Sequence, residues 1–201
     1  MIAIIDYNLS NINSIFNAVS KITRDVEVVK DGNNLSSFKK IILPGVGSFP
    51  IAMNNLKKGN FLDQIKKEIL ENNKPILGIC LGMQLLFENS TEERHCDGLG
   101  LVKGVVRPLS ADKNFKVPNM GWKKIETNNK SLLLNDIKDP IFYFVHKYAC
   151  YSDENLTSSK FLHLTKFDCL IEKGNIFATQ FHPEKSQLAG FKLLKNFIEK
   201  V

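Results

Sequence analysis

Residues 75–82, Pro75-Ile-Leu-Gly-Ile-Cys80-Leu-Gly82, combine a short apolar run with a tight Gly-Ile-Cys-Leu-Gly segment. An apolar run of this length, bounded by proline and glycine, is typical of a buried β-strand. Helical spacing follows over residues 83–88, so the cysteine is predicted at a sharp turn from strand to helix. Such a turn presents a nucleophile at the start of the helix and needs small residues on both sides. A buried structural cysteine at a strand end is the alternative, and the motif alone does not decide between them.

The chain before this stretch alternates strand and helix. Strands are predicted by apolar or alternating runs at residues 2–7, 25–30 and 40–43. Connecting helices are predicted by helical spacing at residues 13–22, 52–56 and 61–72. This alternation implies parallel strands with helices on both faces. We therefore expect an α/β fold built on an open, mostly parallel sheet.

The second half of the chain is richer in short strands. Strand-like patterns lie at residues 101–106, 122–126, 141–145, 148–151, 161–164 and 176–181. Residues 98–100 and 152–159 have the composition of surface loops, and residues 186–200 have the spacing of an amphipathic helix. No repeat or linker interrupts the pattern, so residues 1–201 are predicted to form a single domain.

Composition excludes several classes of protein. Of the 201 residues, 43% are hydrophobic and 24% are charged, values that are typical of a globular protein rather than a disordered one. No apolar run reaches the roughly 18 residues of a membrane span, and the N-terminus lacks the basic region of an export signal. The net charge of +6 comes from scattered lysines, which favours a solvated surface over a nucleic-acid site.

The four cysteines are also scattered. Cys80, Cys96, Cys150 and Cys169 form no CxxC pair, which argues against a zinc site. Without an export signal, this usage favours free thiols in a reducing compartment. We therefore expect a cytoplasmic protein without a metal, a cofactor or a membrane contact.

A cysteine nucleophile needs a base, and the base needs an orienting group. His182 and Glu184 stand two residues apart directly after an apolar run. In an extended segment such residues point to the same side. Both are therefore predicted to face one site, with Glu184 holding the tautomer of His182. Taken alone, a surface His-Pro turn is the alternative for this segment.

Acyl transfer also needs two hydrogen-bond donors for the developing oxyanion. One is predicted to be the amide of Leu81, directly after the cysteine. The other is predicted in the glycine-rich loop at residues 44–47, which contains Val46 and Gly47 and follows an apolar strand. Open α/β sheets collect functional groups at the carboxyl ends of their strands, and all of these segments occupy such positions.

The segments Gly78-Ile-Cys-Leu-Gly-Met-Gln84 and Phe181-His-Pro-Glu184 together resemble the class I glutamine amidotransferases. Within that family the chain is similar to the glutaminase subunits of imidazole glycerol phosphate synthase, from histidine biosynthesis. This closer likeness rests on Leu43-Pro-Gly-Val-Gly-Ser-Phe49, Pro118-Asn-Met-Gly-Trp122, Tyr143-Phe-Val-His-Lys-Tyr148 and His182-Pro-Glu-Lys-Ser-Gln187. The resemblance runs from Ile5 to the last helix and implies the fold of this family.

The resemblance implies a glutaminase with a triad of Cys80, His182 and Glu184. The cysteine would attack the side-chain amide of L-glutamine, and the histidine would protonate the departing ammonia. The loop at residues 45–47 would complete the oxyanion hole when a partner is engaged. Contacts with the substrate are implied for Gln84, Glu92, His146, Lys147 and Tyr148.

The resemblance also implies a partner. Subunits of this family pass ammonia to a (β/α)8-barrel cyclase subunit, in a heterodimer that forms imidazole glycerol phosphate and AICAR. Asn11, Trp122 and Lys185 match positions near the mouth of that passage. The alternatives for these three residues are a turn asparagine, a core aromatic residue and a surface lysine.

The chain departs from the family pattern on the side that faces the partner. Asn8 and Ser10 replace both glycines of the usual Tyr-Gly-x-Gly-Asn-Leu segment, and Asn119 and Lys123 replace the usual histidine and asparagine around Met-Gly-Trp. A second hypothesis is therefore a related glutaminase that supplies another synthase, for example in the amination of cell-surface sugars.

Two further hypotheses are a stand-alone cysteine hydrolase and a non-catalytic scaffold. Gln84 and the segment at residues 143–148 count against the hydrolase, because both suit recognition of a free amino acid. The intact set of cysteine, histidine and glutamate counts against the scaffold.

Overall fold

A computed structural model describes residues 1–126, 131–154 and 156–201. The first half contains β1 (Ile2–Ile5), α1 (Ile12–Ser20), β2 (Val26–Val29), β3 (Lys40–Gly45), α2 (Phe49–Lys58), α3 (Phe61–Leu70), β4 (Ile76–Cys80), α4 (Leu81–Leu85) and β5 (Phe87–Ser90). The second half contains β6 (Cys96–Asp97), β7 (Val102–Pro108), β8 (Asn119–Lys124), β9 (Ile141–His146), β10 (Tyr148–Ser152), β11 (Thr157–Leu162), β12 (Lys166–Lys173), β13 (Ile176–Thr179) and α5 (Gln187–Lys200). Short 3-10 turns lie at Gly32–Ser37 and Pro183–Lys185.

Eleven strands form one sheet in the order β2-β1-β3-β4-β13-β12-β10-β7-β5-β6, with β11 paired to β12. The first five strands of that order are parallel. The next three, β12, β10 and β7, continue the sheet through antiparallel pairs. A separate antiparallel pair is formed by β8 and β9. The predicted α/β fold with an open sheet is confirmed, and the strand-rich second half supplies its antiparallel extension.

Helices cover both faces of the parallel part of the sheet, as predicted. On one face, α2 and α3 bury Leu56 and Ile65. On the opposite face, α1 and α5 bury Val19 and Phe197. A strand that is covered on both faces needs apolar residues at successive positions, which explains the unbroken apolar run of Ile2–Ile5.

The parallel register brings three strand ends to one edge of the sheet. Gly45 at the end of β3 is paired with Cys80 at the end of β4. Thr179 at the end of β13 is paired with Ile79, and the chain then continues to His182. The glycine-rich loop, the cysteine and the histidine therefore meet at the carboxyl edge, where open α/β sheets place their sites.

The helix predicted over residues 83–88 is wrong at both ends. The structure places α4 at Leu81–Leu85, and the chain then becomes β5, in which Phe87 pairs with Val102. Phe87 is fully buried. In so short an apolar run, helical spacing and a buried strand are difficult to distinguish.

The loop predicted over residues 152–159 is wrong in part. Strand β10 extends to Ser152, and β11 begins at Thr157 and pairs with β12. Asn155 of the predicted loop lies outside the described residues. Strand β11 also ends two residues earlier than predicted, at Leu162, and β8 occupies Asn119–Lys124 rather than residues 122–126.

Strand β12 is absent from the predicted strands because Asp168 and Glu172 interrupt its apolar pattern. Both residues are buried. Asp168 accepts hydrogen bonds from the amide and hydroxyl of Ser152, and Glu172 accepts from the hydroxyl of Ser131 and the amide of Leu133. A buried carboxylate is tolerated when it is hydrogen-bonded, and here the partners come from distant segments.

The longest of the described helices is α5, with 14 residues. In the described part of the chain, no helix has both the length and the apolar character that crossing a membrane would require.

Candidate active site

Cys80 lies at the turn from β4 to α4, as predicted. Its backbone angles are φ 55° and ψ −110°, a conformation that residues with side chains rarely adopt. A Cβ on Gly82 would overlap the carbonyl oxygen of Leu43, and a Cβ on Gly78 would lie 2.9 Å from the carbonyl oxygen of Gly82. Close packing thus holds a strained turn in place. Strain of this kind is typical of functional sites and favours a nucleophile over a structural cysteine.

His182 and Glu184 form a buried pair next to this turn. His182 Nδ1 lies 2.8 Å from Glu184 Oε1, and the two side chains are only 3% and 5% exposed. The backbone conformation differs from the prediction, because Pro183–Lys185 form a 3-10 turn rather than an extended segment. The Glu184 carboxylate is the hydrogen-bond partner of His182 Nδ1, while His182 Nε2 makes no hydrogen bond to the described residues.

The protonation of His182 is governed by its two neighbours. Burial by itself lowers the pKa of an imidazole. Here the interactions with Cys80 and with Glu184 outweigh burial and raise the pKa of His182 to about 10. The imidazolium form is therefore favoured beside the sulfur atom, an arrangement that supports a thiolate nucleophile.

A cleft of about 370 Å³ opens beside Cys80, and most of the predicted site residues line it. They are Val46, Gly47, Cys80, Leu81, Gln84, Glu92, His146, Lys147, Tyr148 and His182. Pro118 and Val145 complete the lining and are additions to the predicted set. Both lie inside the family-like segments around Met-Gly-Trp and Phe-Val-His, which is the signal that points to them. The volume suits a small molecule.

Two buried glutamines connect the cleft wall to the sulfur atom. Gln84 Nε2 donates to the carbonyl oxygen of Tyr148 at 3.0 Å and to Gln180 Oε1 at 3.1 Å. Gln180 Nε2 in turn lies 3.8 Å from Cys80 Sγ. Gln84 was predicted as a substrate contact, whereas no role was predicted for Gln180. Its only signal is a polar residue between an apolar strand and the Phe-His-Pro-Glu segment.

The predicted oxyanion donors differ in whether their amides already donate a hydrogen bond within the protein. The amide of Leu81 is the first of α4 and directly follows the nucleophile. The amide of Val46, by contrast, donates to the carbonyl oxygen of Leu9 at 2.8 Å. Gly47 has a positive φ of 101°, so this loop has a backbone that glycine permits. Val46 can stabilise an oxyanion only after its amide leaves Leu9.

His146 is held as a neutral ring. Its Nδ1 lies 2.7 Å from the carbonyl oxygen of Tyr148, which can only accept. Asn119 Nδ2 then donates to His146 Nε2 at 2.9 Å. Burial lowers the pKa of His146 to about 4. The ring therefore orients the backbone of the cleft wall, and the residue that departs from the family pattern at position 119 is its partner.

Glu92 and Lys147 present opposite charges to the cleft. Glu92 Oε2 accepts a hydrogen bond from the amide of Phe49 at the start of α2, at 3.0 Å. Burial raises the pKa of Glu92, and that hydrogen bond and Lys147 oppose the rise. A carboxylate and an ammonium that both line the cleft complement the two charged groups of a free amino acid.

Asn11, Trp122 and Lys185 lie outside this cleft. Trp122 is 47% exposed, and its ring meets that of Tyr143 edge-on at 5.8 Å. Lys185 Nζ lies 6.0 Å from the centre of the same ring. Asn11 is an exposed residue directly before α1. The core-aromatic alternative for Trp122 is therefore wrong, and the ring belongs to a surface shared with Lys185.

Within residues 1–126, 131–154 and 156–201, no group of three or more histidine, cysteine, aspartate or glutamate side chains is arranged to hold a metal ion. The chemistry available at this edge of the sheet comes from a cysteine, a histidine–carboxylate pair and amide donors.

The chain belongs to the class-I glutamine amidotransferase family, whose sequence model matches residues 3–201. It is 45% identical to imidazole glycerol phosphate synthase subunit HisH 1 of Campylobacter jejuni (strain RM1221), over 98% of this chain and 99% of that protein. It is 41% identical to subunit HisH 2 of Methanococcus maripaludis, over 99% of each chain.

Solved structures support the fold at much lower sequence identity. The structure of PurLQS from Thermotoga maritima aligns with a TM-score of 0.74 at 21% identity, and the alignment covers 99% of this chain and 97% of that one. A second structure, described as a glutamine amidotransferase, aligns with a TM-score of 0.75 at 15% identity over 98% and 97% of the two chains. At these identities the likeness concerns the fold alone.

Proposed function

We propose that the protein is the glutaminase subunit of imidazole glycerol phosphate synthase, with residues 1–201 as one glutaminase domain that acts in the cytoplasm. The observation that carries the proposal is the strained Cys80 turn at one sheet edge with the buried His182–Glu184 pair. The near full-length similarity to HisH subunits supports the assignment of this glutaminase to histidine biosynthesis.

In the proposed reaction, transfer of the Cys80 thiol proton to neutral His182 Nε2 forms the pair of thiolate and imidazolium. The thiolate attacks the side-chain carbonyl carbon of glutamine, and the oxygen of the tetrahedral intermediate carries the negative charge. His182 returns its proton to the leaving nitrogen, which departs as ammonia and leaves a γ-glutamyl thioester. Water, activated by His182, then hydrolyses the thioester to glutamate. Glu184 stays on Nδ1 throughout and favours the charged ring.

Recognition of glutamine is assigned to the cleft walls. Gln84 donates one amide hydrogen to the carbonyl oxygen of Tyr148 and the other to Gln180 Oε1. Its Oε1 is therefore the atom that remains to accept a hydrogen bond from the substrate. Glu92 faces the α-ammonium group and Lys147 the α-carboxylate. His146 acts indirectly, because its hydrogen bond to the carbonyl oxygen of Tyr148 orients the backbone of residues 146–148.

The oxyanion loop supports a gated glutaminase. The bond from the Val46 amide to Leu9 keeps one donor away from the site, so the hole at Leu81 and residues 46–47 is complete only after that bond opens. Ammonia that forms without a waiting acceptor is protonated and lost. A partner that opens the loop would therefore couple glutamine hydrolysis to its own reaction.

The proposed partner is a (β/α)8-barrel cyclase subunit in a heterodimer. Trp122 and Lys185, which meet at Tyr143, and Asn11 before α1 would form part of the docking face around the ammonia passage. The ammonia then enters the reaction that yields imidazole glycerol phosphate and AICAR.

The test is glutamate release from glutamine, measured for the isolated protein and for the protein with a cyclase subunit that carries its ribonucleotide substrate. We expect a low basal rate and strong stimulation. Cys80→Ser should abolish glutamate release and leave ammonia-dependent synthesis by the complex intact. Loss of both activities in a folded complex would contradict the role given to Cys80.

A second candidate function keeps the glutaminase and changes the synthase. The observation that favours it is Lys123, a departure from the family pattern that directly follows Trp122 on β8. The departure at Asn119 was expected on the side that faces the partner, but its side chain is buried against His146. If the cyclase subunit gives no stimulation, while Cys80 is still labelled by a glutamine-like electrophile, this second function is supported and the first is excluded.

A further inference from the structure

Gln180 has no place in the reaction described above, yet its side chain contacts both Gln84 and Cys80. The residue is fully buried, and its backbone amide donates to the carbonyl oxygen of Cys169 at 2.9 Å. It stands one residue after β13 and two before His182. A buried amide side chain is costly unless both of its ends are satisfied, so its partners indicate its role.

The direction of each hydrogen bond around Gln180 follows from its neighbours. The carbonyl oxygen of Tyr148 can only accept, so the atom of Gln84 next to it is Nε2. That same Nε2 donates to Gln180 Oε1 at 3.1 Å. The thiol of Cys150 lies 4.0 Å from the same oxygen and is a second possible donor to it.

The opposite end of the Gln180 amide is therefore its NH2 group, and this end points at the nucleophile. Gln180 Nε2 lies 3.8 Å from Cys80 Sγ. A sulfur atom is a weak acceptor as a thiol and a much better one as a thiolate, because hydrogen bonds to charged groups are stronger. The contact therefore strengthens when Cys80 loses its proton.

We propose that Gln180 is a positioning residue with two functions: it donates to the Cys80 thiolate, and it fixes the orientation of Gln84. The first function favours the reactive form of the nucleophile. The second keeps Gln84 Oε1 directed at the substrate. The second function rests on the proposed glutaminase activity, whereas the first concerns the cysteine alone.

Gln180 and His182 act on the sulfur in different ways. His182 exchanges a proton with Cys80, so it alternates between donor and acceptor during the reaction. An amide does not titrate in this range and remains a donor at every step. Gln180 can therefore hold Sγ in place while His182 turns from the thiol to the leaving nitrogen.

The test compares Gln180→Met and Gln180→Glu. The methionine variant has a similar length and lacks both the donor and the acceptor, and it adds no charge. The glutamate variant lacks the donor but keeps an acceptor for Gln84. The first readout is the rate of Cys80 alkylation by iodoacetamide as a function of pH, with the labelled peptide identified by mass spectrometry. Cys150→Ala is the matched control, since it removes a neighbour of the same amide and leaves the contact with Cys80.

For both Gln180 variants we expect the midpoint of the alkylation profile to move upward by about one pH unit, with no shift for Cys150→Ala. For glutamate release in the stimulated complex, kcat should fall roughly tenfold in both variants. KM should rise in Gln180→Met and stay near the original value in Gln180→Glu, because only the latter still orients Gln84.

An unchanged alkylation profile in a folded Gln180→Met protein would overturn the first function. Equal rises of KM in the two variants would overturn the second. If Gln180→Met does not fold, the Gln180→Glu profile decides the first function, and the absence of a shift there overturns it. A shifted profile in a protein that releases no glutamate would retain the first function while the proposed glutaminase fails.

Discussion

Two buried histidines show how strongly neighbours decide the chemistry of a single residue. His146 is enclosed by neutral hydrogen-bond partners, and burial lowers its pKa to about 4. His182 is similarly buried, but the interactions with Cys80 and Glu184 outweigh burial and raise its pKa to about 10. Both are histidines near the end of an apolar strand, and the opposite shifts separate a structural ring from a candidate acid–base.

The raised pKa of His182 predicts a pH-dependent stability. A group whose pKa is higher in the folded state stabilises that state fully below its unfolded value, near 6.5, and this stabilisation is lost as the pH rises toward 10. Glu184→Gln should remove one of the groups that raise this pKa. We expect the variant to be less stable by about 2 kcal/mol at pH 6.

The measurement is denaturant unfolding of both proteins between pH 6 and pH 10. The difference in unfolding free energy should shrink as the pH increases, and the variant should lose most of its glutaminase activity. A difference that stays constant over this range would show that Glu184 does not act through the charge of His182.

Among the elements, the short α4 depends on its close approach to β3. A Cβ on Gly82 would overlap the carbonyl oxygen of Leu43, so the backbones of α4 and β3 are in direct contact at this point. Backbone cannot move aside as a flexible side chain can. The glycine is therefore needed for the position of the whole turn that carries Cys80.

Gly82→Ala should destabilise the protein by about 3 kcal/mol, because an overpacked backbone contact must be relieved by a shift of α4. Gly174→Ala is the matched control. Its φ of 57° is unfavourable for alanine, but its Cβ would meet nothing within 4 Å, so a cost of about 1 kcal/mol is expected. Thermal unfolding compares the two, and equal losses would contradict the packing argument.

A buried ion pair connects Glu68, near the end of α3, to Lys74, which lies just before β4. Lys74 Nζ lies 2.7 Å from Glu68 Oε2, with both side chains less than a tenth exposed, and it also donates to the carbonyl oxygen of Leu35. Burial raises the pKa of Glu68, but the hydrogen bonds from Lys74 and Asn72 outweigh it and lower the pKa. The pair therefore stabilises the fold above pH 4.5 and loses this effect as Glu68 is protonated.

Lys74→Met should cost about 3 kcal/mol, because it leaves the Glu68 carboxylate buried without its partner. The double variant Lys74→Met/Glu68→Leu should recover most of that loss. Lys195→Met, which breaks the exposed pair with Glu199, should cost less than about 0.5 kcal/mol. Urea unfolding at pH 7 measures all three, and a double variant no more stable than Lys74→Met would contradict the account.

At the scale of the whole molecule, the candidate catalytic residues lie at one edge of the sheet. The proposed docking residues lie on a neighbouring surface formed by β8, β9 and the 3-10 turn at Pro183–Lys185. Tyr143 connects the two regions. Its carbonyl oxygen accepts a hydrogen bond from the amide of His182, and its ring contacts Trp122 and lies near Lys185. A partner that contacts this surface is thus only a few bonds from the candidate acid–base.

Trp122→Ala should weaken binding of the cyclase subunit at least tenfold, since exposed aromatic residues often dominate interfaces. The alkylation of Cys80 in the isolated protein should not change. Leu70→Ala is the matched control, because Leu70 is exposed on α3 and outside the proposed docking face. Titration calorimetry compares the affinities. Equal affinities of the two variants for the cyclase subunit would contradict the assignment of Trp122 to the interface.

Much of the architecture is readable from local patterns. Strands buried on both faces are continuous apolar runs, and the Gly-x-Cys-x-Gly turn has its glycines where the backbone has no room. Local patterns do not predict β12, where buried carboxylates interrupt the apolar run, or β5, where a short apolar run takes the strand conformation. In both places the deciding partners lie far away in the chain.

The sequence by itself determined the α/β order of the chain and the turn at Cys80, because each depends on residues that are neighbours in the chain. Only the tertiary structure decided which amide of the oxyanion loop is engaged, which histidine carries charge and that Gln180 faces the sulfur. These depend on contacts such as Gln84 with Gln180, which are 96 residues apart. Hydrogen-bond direction and burial arise from such contacts across space, and no local pattern contains them.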